Sequence, residues 1–237
     1  MCTVTLTPLP GDSSGFILTS NRDELPSRET LAPDFYSEKG VKMLYPKDKI
    51  AGGSWIGVSE RSRLLCLLNG GFEAHTRRAA YRLSRGVVLK DLLAAPDLVS
   101  AINNYHLEDV EPFTVIAADW QKGLKFYEFV WDGKSKFLKD LDLTGHIWSS
   151  SPLYDPGMRG DRQKWFSDFI QKEDPAPESL WNFYHSAGVG NREIDVIMDR
   201  GFIKTKSITQ VIHSEEGTKM IYKDLSEGNI TERIFSE

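Results

Sequence analysis

Hydrophobic and polar residues alternate at the very start of the chain. Cys2, Val4 and Leu6 alternate with threonines, and this period of two, rich in β-branched residues, predicts a strand. A stretch dense in Pro, Gly, Asp and Ser follows at 8–15, and the apolar run 16–20 predicts a second strand. The two strands together predict a hairpin at the N-terminus.

Two further hairpins and two helical regions follow along the chain. The hairpins are predicted from 54–58 with 63–68 and from 113–118 with 124–131, and 136–141 extends the second of these. The helices are predicted as a pair within 83–105 that breaks at Pro96, and over 162–171 and 179–187. The chain closes with predicted strands at 207–212 and 219–222, and no element is predicted in the polar stretch containing Pro26, Pro33 and Pro46. Strand pairs alternating with helices predict an α+β fold with largely antiparallel sheets, and no glycine-rich phosphate loop follows a strand.

The length, composition and charge of the chain argue against several classes of protein. A chain of 237 residues with 40% hydrophobic residues predicts one globular domain over residues 1–237. The net charge of -5 argues against a nucleic-acid partner. No apolar run approaches the roughly 20 residues of a membrane helix and no signal peptide is evident, so we expect a cytoplasmic protein without an integral membrane segment. The five histidines are scattered, and neither a metal nor an intrinsic cofactor is expected.

Cys2 is the position that points most directly to chemistry. Removal of Met1 would leave a residue with both a thiol, of pKa about 8.5, and an α-amine, of pKa about 7.7 to 8, so proton transfer between them is nearly thermoneutral. Nucleophile and base would then lie in one residue, as in N-terminal nucleophile enzymes. The alternative is that Cys2 is a small apolar residue on the inward face of its strand.

Several motifs occur in a fixed order. They are Met1-Cys2, Asn21-Arg22-Asp23-Glu24, Gly52-Gly53-Ser54-Trp55-Ile56-Gly57-Val58-Ser59, Leu68-Asn69, Ser84-Arg85-Gly86 and Ile116-Ala117-Ala118-Asp119. This order resembles the NRDE family, the family of the Transport and Golgi organisation 2 protein. The resemblance is specific over residues 1 to about 120 and less distinct beyond.

The resemblance implies a fold and a site. The family is similar to N-terminal nucleophile hydrolases of the choloylglycine hydrolase and penicillin V acylase type, whose fold is a four-layer αββα sandwich. It implies catalytic roles for Cys2 as nucleophile, Asp23 beside the α-amine and Asn69 at the oxyanion. Asn21 and Arg22, from the same motif as Asp23, are expected to bind substrate.

The sequence also departs from the acylase pattern. Ser20 occupies the place of an acylase arginine, and Arg22 is shifted from it by two residues. Ser150 corresponds best to a later acylase asparagine and is expected to bind substrate. The late active-site arginine has no arginine counterpart near Thr205, only Lys204 and Lys206 beside it. Transfer of the fold is unaffected, whereas transfer of the activity is weakened.

The segment 75–85 contains four arginines and no acidic residue. Guanidinium groups suit a carboxylate or phosphate, so the segment, with Arg85 in it, is a candidate for binding an anionic part of a substrate. The alternative is a solvated loop and helix start whose charges are balanced elsewhere on the surface.

Three functions compete. The first is an N-terminal-cysteine amidohydrolase or acyltransferase that acts on a small acylated substrate once Met1 is removed. The second, implied by the resemblance, is a non-catalytic carrier of haem or of an acyl lipid, with haem as a transported ligand rather than a cofactor. An interaction scaffold ranks last because no coiled coil is predicted. The substrate and the oligomeric state are left open by the sequence.

Overall fold

A computed structural model describes residues 3–236. In chain order its strands are β1 (Thr3–Pro8), β2 (Phe16–Glu24), β3 (Thr30–Glu38), β4 (Val41–Asp48), β5 (Ile56–Ser59), β6 (Arg63–Asn69), β7 (Phe113–Asp119), β8 (Lys125–Trp131), β9 (Lys136–Leu141), β10 (His146–Ser149), β11 (Lys204–Ser214), β12 (Gly217–Asp224) and β13 (Ile230–Phe235). Its helices are α1 (Arg85–Ala94), α2 (Leu98–Asn104), α3 (Pro156–Lys172) and α4 (Pro177–Ser186).

The chain divides into two compact units. The first unit comprises residues 1–29, 143–149 and 154–237, and the second comprises 30–142 and 150–153. Each unit is built on one antiparallel sheet. The predicted α+β class with largely antiparallel sheets is confirmed, and the expectation of a single domain stays a prediction.

The sheet of the first unit has six strands in the order β10-β1-β2-β11-β12-β13. Strand β2 lies at its centre, between β1 from the start of the chain and β11 from its last third. Helices α3 and α4 pack on one face, where Ile17 and Ile208 of the sheet meet Phe166, Leu180 and Phe183 of the helices. Burial of this apolar cluster fixes which side chains of β2 point toward the helices, because successive residues of a strand point to opposite faces.

The sheet of the second unit has seven strands in the order β3-β4-β5-β6-β7-β8-β9. Helices α1 and α2 cover one face through a core that includes Leu65 and Leu67 of β6 and Leu89 and Leu92 of α1. The intervening residue Cys66 is also fully buried, as expected for a core thiol. Both faces of β6 are therefore shielded from water, which explains its continuous apolar sequence.

Four strands were not predicted, and β3 and β4 show why. Pro33 and Pro46 both fall where the register between these strands shifts, between the pairs Leu31–Lys47 and Asp34–Tyr45. Proline cannot donate to a ladder and is tolerated at such irregularities and on edge strands, and β3 is an edge strand. The short edge strand β10 and the edge strand β13 were missed as well. Among residues 3–236 no helix is long and apolar enough to cross a membrane.

Candidate functional site

A fully buried carboxylate lies near the end of the central strand β2. Asp23 has no exposed surface and accepts a hydrogen bond from the hydroxyl of Tyr154. It also accepts hydrogen bonds from Thr205 Oγ1 at 2.7 Å and from Asn21 Nδ2 at 3.2 Å. One donor from the same strand and two from distant parts of the chain therefore converge on one acidic side chain.

Strand geometry brings these groups together. Asn21 and Asp23 are two residues apart on β2 and so point to the same face of the sheet. Thr205 lies opposite Asp23 on β11, next to a register shift between Thr205 and Ser207. This irregularity has one extra residue on β11, which lets Thr205 face Asp23 while Ser207 is paired with Arg22.

Asn21 connects this cluster to the first described residue of the chain. Its Oδ1 accepts a hydrogen bond from the backbone N–H of Thr3 at 2.5 Å, and its Nδ2 donates to the carbonyl of Val196 at 2.8 Å. Cys2 itself lies outside the described residues. It is covalently bonded to the Thr3 nitrogen, so the Asn21 side chain holds the peptide group that immediately follows Cys2.

A buried arginine lies next to Tyr154. The Arg162 guanidinium lies over the Tyr154 ring with its central carbon 3.8 Å from the ring centroid, and Arg162 is fully buried. Its Nη2 donates to the carbonyl of Asp195 at 2.9 Å. A cation on the ring face fixes the ring and places positive charge near the carboxylate that the Tyr154 hydroxyl contacts.

The pKa of Asp23 is raised above its ordinary value of 3.8, because burial disfavours the charged carboxylate. The hydroxyls of Tyr154 and Thr205 lower it again by donating to the carboxylate, and the charge of Arg162 acts in the same direction. The ionisation of Asp23 therefore depends on a balance between burial, which raises its pKa, and the surrounding donors and positive charges, which lower it.

Arg22 lies between Asn21 and Asp23 in sequence but points to the opposite face of the sheet. It is buried, with Nη2 3.7 Å from Glu24 Oε2 and Nη1 donating to the Arg28 carbonyl at 3.4 Å. The structure thus brings Asn21 and Asp23 together and directs Arg22 away from them.

The other predicted site residues belong to the second unit. Asn69 ends β6 opposite Phe113 and is partly exposed. Ser150 is buried, and its hydroxyl has no hydrogen-bond partner among residues 3–236. Arg85 starts α1, where its Nη2 lies 3.2 Å from Glu111 Oε2. The roles expected for Asn69, Ser150 and Arg85 stay predictions.

The arginines of segment 75–85 have partners within the second unit. The contacts are Arg77 Nε to Glu111 Oε1 at 3.8 Å, Arg78 Nη1 to Asp109 Oδ1 at 2.9 Å, Arg82 Nε to the Glu108 carbonyl at 3.1 Å and Arg85 Nη1 to the Pro112 carbonyl at 3.3 Å. These contacts hold the irregular segment against the turn before β7. Among the described residues no group of three His, Cys, Asp or Glu side chains is arranged to hold a metal ion.

Sequence reasoning missed Tyr154, Thr205 and Arg162 as members of the cluster around Asp23. Tyr154 and Thr205 are 131 and 182 residues from Asp23, and neither lies in a local motif. The one signal available in the sequence was the residue type. A tyrosine or an arginine that is buried in an otherwise apolar neighbourhood needs hydrogen-bond partners.

Comparison with protein families gives one match over most of the chain. The family model described as Transport and Golgi organisation 2 matches residues 1–219. None of the curated proteins compared with this chain matches it.

Solved structures with similar folds cover nearly the whole chain. An N-acylethanolamine-hydrolyzing acid amidase ortholog of Caenorhabditis elegans has a TM-score of 0.58 at 12% identity, covering 89% of this chain and 92% of that chain. Penicillin V acylase of Agrobacterium tumefaciens has a TM-score of 0.58 at 9% identity, covering 98% and 86%. The R18L variant of conjugated bile acid hydrolase from Clostridium perfringens has a TM-score of 0.54 at 11% identity, covering 99% and 97%. At these identities the likeness establishes the fold of N-terminal nucleophile hydrolases and leaves the chemistry to be argued from the site.

Proposed function

Because this chain belongs to the Transport and Golgi organisation 2 family and has the fold of N-terminal nucleophile hydrolases, we propose that it is an N-terminal-cysteine amide hydrolase acting on a small acylated substrate. The named neighbours are an N-acylethanolamine-hydrolyzing amidase, a penicillin V acylase and a conjugated bile acid hydrolase. These names support an acylated substrate as the class.

The observation that carries the proposal is the hydrogen bond from Thr3 N–H to Asn21, which in turn donates to the buried Asp23. This pair of contacts links the peptide next to Cys2 to a carboxylate with no exposure to water. A buried carboxylate beside a chain terminus is suited to stabilising an ammonium group, since opposite charges attract strongly away from bulk water. If Cys2 were only a small apolar core residue, this arrangement would not be needed.

In the proposed reaction, Met1 is first removed so that Cys2 has a free α-amine. The amine accepts the thiol proton, and the thiolate attacks the amide carbonyl carbon of the substrate. The C–N bond breaks as the ammonium returns its proton to the leaving amine, which leaves a thioester on Cys2. Water then attacks the thioester, releases the carboxylic acid and restores the thiol; an amine in place of water would make the same intermediate an acyl donor.

Asp23 stabilises the ammonium formed in the first step, and Asn21 keeps the following peptide in place.

The proposal is tested by intact-mass spectrometry together with hydrolysis of a panel of fatty-acyl anilides of different chain length. We expect the mass to lack one methionine and the protein to release aniline. Cys2→Ala should abolish release, because the thiol is the nucleophile. Cys66→Ala is the matched control, since it removes the chain's other thiol from the buried strand β6.

The carrier alternative has a different outcome in the same experiment. If the methionine-cleaved protein releases no aniline, and haem gives a saturable Soret shift that persists in Cys2→Ala, the hydrolase proposal is wrong and a haem carrier is favoured. Retention of Met1 in the mature protein would also rule out the reaction described above.

A further inference from the structure

A cavity of about 320 Å³ in the first unit is lined by the start of strand β11, the loop before it and the turn after β12. Strand β11 contributes Lys204 and Thr205, the loop contributes Arg192 and Met198, and the turn contributes Leu225. Binding sites for small molecules generally have volumes of about 300 to 1,000 Å³, so this cavity suits a ligand at the small end of that range.

Two residues of this lining also hold the buried carboxylate of Asp23. The Thr205 hydroxyl donates to Asp23 Oδ1 at 2.7 Å and accepts from the Met198 N–H at 2.9 Å. The Thr205 N–H in turn donates to the Met198 carbonyl at 2.9 Å. Both residues are buried and both line the cavity. A ligand that packs against this wall therefore contacts the residues that fix the Asp23 carboxylate.

The cavity is next to the Asp23 cluster but is separate from the peptide that follows Cys2. That peptide is held by Asn21, and neither Asn21 nor Asp23 lines the cavity or has any exposed surface. A ligand in the cavity therefore influences the candidate site through Thr205 rather than by contact with the reacting amide. This placement favours an effector over a substrate as the occupant.

The charged residues of the lining favour an anionic ligand. Arg192 and Lys204 carry positive charge, and neither forms an ion pair with a carboxylate among residues 3–236. Asp199 is the one acidic residue among the described lining residues, and its Oδ1 already accepts a hydrogen bond from the Gly201 N–H at 2.9 Å. An arginine and a lysine together suit a carboxylate, because the guanidinium offers a fork of N–H donors and the ammonium adds a second positive charge.

The rest of the lining is partly apolar. Ile197 and Leu225 line the cavity and also pack against the apolar cluster between the sheet and helices α3 and α4. Apolar surface beside two positive charges fits a carboxylate that bears a short hydrocarbon chain, because the chain is removed from water while the charge is paired. A carboxylic acid of this kind is what the proposed reaction releases.

We propose that this cavity is a regulatory site for a small carboxylate, and that the acid released by the proposed hydrolase binds there and slows turnover. This inference rests on the proposed function and adds the regulation of the same site. Among the described residues, Tyr154 and Arg162 are the titratable and charged groups that act on Asp23. Arg162 favours the charged carboxylate, whereas an anion in the cavity disfavours it. Since only the charged form of Asp23 stabilises the ammonium of Cys2, turnover slows when the cavity is filled.

Inhibition of octananilide hydrolysis by octanoate tests the regulatory site. Added octanoate should lower kcat at saturating octananilide by about 5-fold or more, the lower end of typical coupling between two sites. Octanamide has the same chain without the charge and should have little effect. An acid that binds only where the reaction occurs would instead compete with the anilide, raising KM and leaving kcat unchanged.

Variants connect the effect on kcat to the cavity. Arg192→Gln should raise the octanoate concentration for half-maximal inhibition by about 10-fold, the lower end for a hydrogen bond to a charged group. Arg192→Lys should show a smaller increase, because it keeps the charge and loses the forked geometry. Lys164→Gln is the matched control, because it removes an exposed positive charge from the same unit without changing the cavity lining. Without octanoate, all three variants should have the wild-type kcat.

The outcomes separate this proposal from the proposed function. If octanoate raises only KM, or inhibits Arg192→Gln as strongly as the wild type, the regulatory site is wrong and the hydrolase stands. If octananilide is not hydrolysed, calorimetric titration with octanoate decides. Binding that is weakened in Arg192→Gln and kept in Lys164→Gln then supports the carboxylate site alone, whereas no binding, or equal binding by both variants, overturns it.

Discussion

Asp23 has no exposed surface, so its surroundings in the fold set its pKa. Burial raises its pKa, and the hydroxyls of Tyr154 and Thr205 lower it by donating to the carboxylate. Only the carboxylate form can stabilise an ammonium group on Cys2. The acidic limit of activity is therefore expected to follow the pKa of Asp23.

Tyr154→Phe removes one of these donors and keeps the ring under Arg162. Loss of a hydrogen bond that favours the charged form raises the pKa of Asp23 further. The acidic limb of kcat/KM should then move to higher pH, so that activity is lost first at the low end of the pH range. The measurement is the pH profile of kcat/KM for the best anilide substrate.

Tyr184→Phe is the control for Tyr154→Phe. Tyr184 is equally buried in the same unit, but its hydroxyl donates to the Thr19 carbonyl at 2.6 Å and to the Thr3 carbonyl at 3.3 Å rather than to Asp23. Both variants should lose about 1 to 3 kcal/mol of stability. An acidic limb that moves equally in both would show that Asp23 does not set it.

Only part of the residue cluster could be predicted from the sequence. Asn21 and Asp23 follow an apolar strand within a family motif, and the structure joins them by a hydrogen bond. Tyr154 lies in the segment between β10 and α3, and Arg162 lies in α3. No local pattern encodes their position beside Asp23. Tyr154 and Asp23 are more than 130 positions apart in the sequence, so no short-range spacing of residues predicts their contact.

At the scale of elements, the irregularity in β11 places Thr205 beside Asp23. Thr205 Oγ1 also accepts a hydrogen bond from the Met198 N–H at 2.9 Å. Its hydroxyl therefore connects strand β11, strand β2 and the loop before β11. A methyl group in place of this hydroxyl would remove its hydrogen bonds to Asp23 and to the Met198 N–H.

Thr205→Val should lower the free energy of unfolding by about 1 to 3 kcal/mol, because it leaves the buried Met198 N–H without an acceptor. Thr209→Val is matched to it on the same strand. Thr209 is fully buried, and its hydroxyl has no hydrogen-bond partner among residues 3–236. The control should be neutral or stabilising in urea unfolding, and an equal loss in both variants would contradict the role assigned to Thr205.

The sequence identified most elements where periodicity was strong. Helices α1 and α2 were predicted on either side of Pro96. The hairpins β1–β2, β5–β6 and β7–β8 were predicted with boundaries within about two residues of those observed, except that β2 extends four residues beyond its predicted end at Ser20. Strands β3 and β10 were missed because most of their residues are not fully buried, which leaves little alternation to detect. These segments form strands because they pair with the neighbouring strands β4 and β1.

At the scale of the whole molecule, the first unit depends on both ends of the chain. Its central strand β2 pairs with β1 on one side and with β11 on the other. A variant ending at Ile203 lacks β11, β12 and β13, and its first unit should not fold. Far-UV circular dichroism should show a loss of β-structure well beyond the residues removed.

A variant ending at Gly228 is the control for that truncation. It lacks only β13, which lies at the edge of the sheet and pairs with β12 alone. It should keep a cooperative urea transition with a lower midpoint, since it also loses the buried side chain of Phe235. If the variant ending at Ile203 loses only the β-structure of the three strands that it lacks, the first unit does not need its C-terminal strands to fold.

The central position of β2 also has a consequence for synthesis on the ribosome. About 180 residues separate Glu24, the last residue of β2, from Lys204, the first residue of its partner β11. At a synthesis rate of roughly 5 to 20 residues per second, one edge of β2 stays unpaired for about 9 to 36 s before β11 is made. The second unit, with all seven of its strands between residues 30 and 141, is complete in its sheet well before then. The nascent chain therefore carries a finished sheet and an unfinished one at the same time, and the strand exposed to aggregation is the one that bears Asp23.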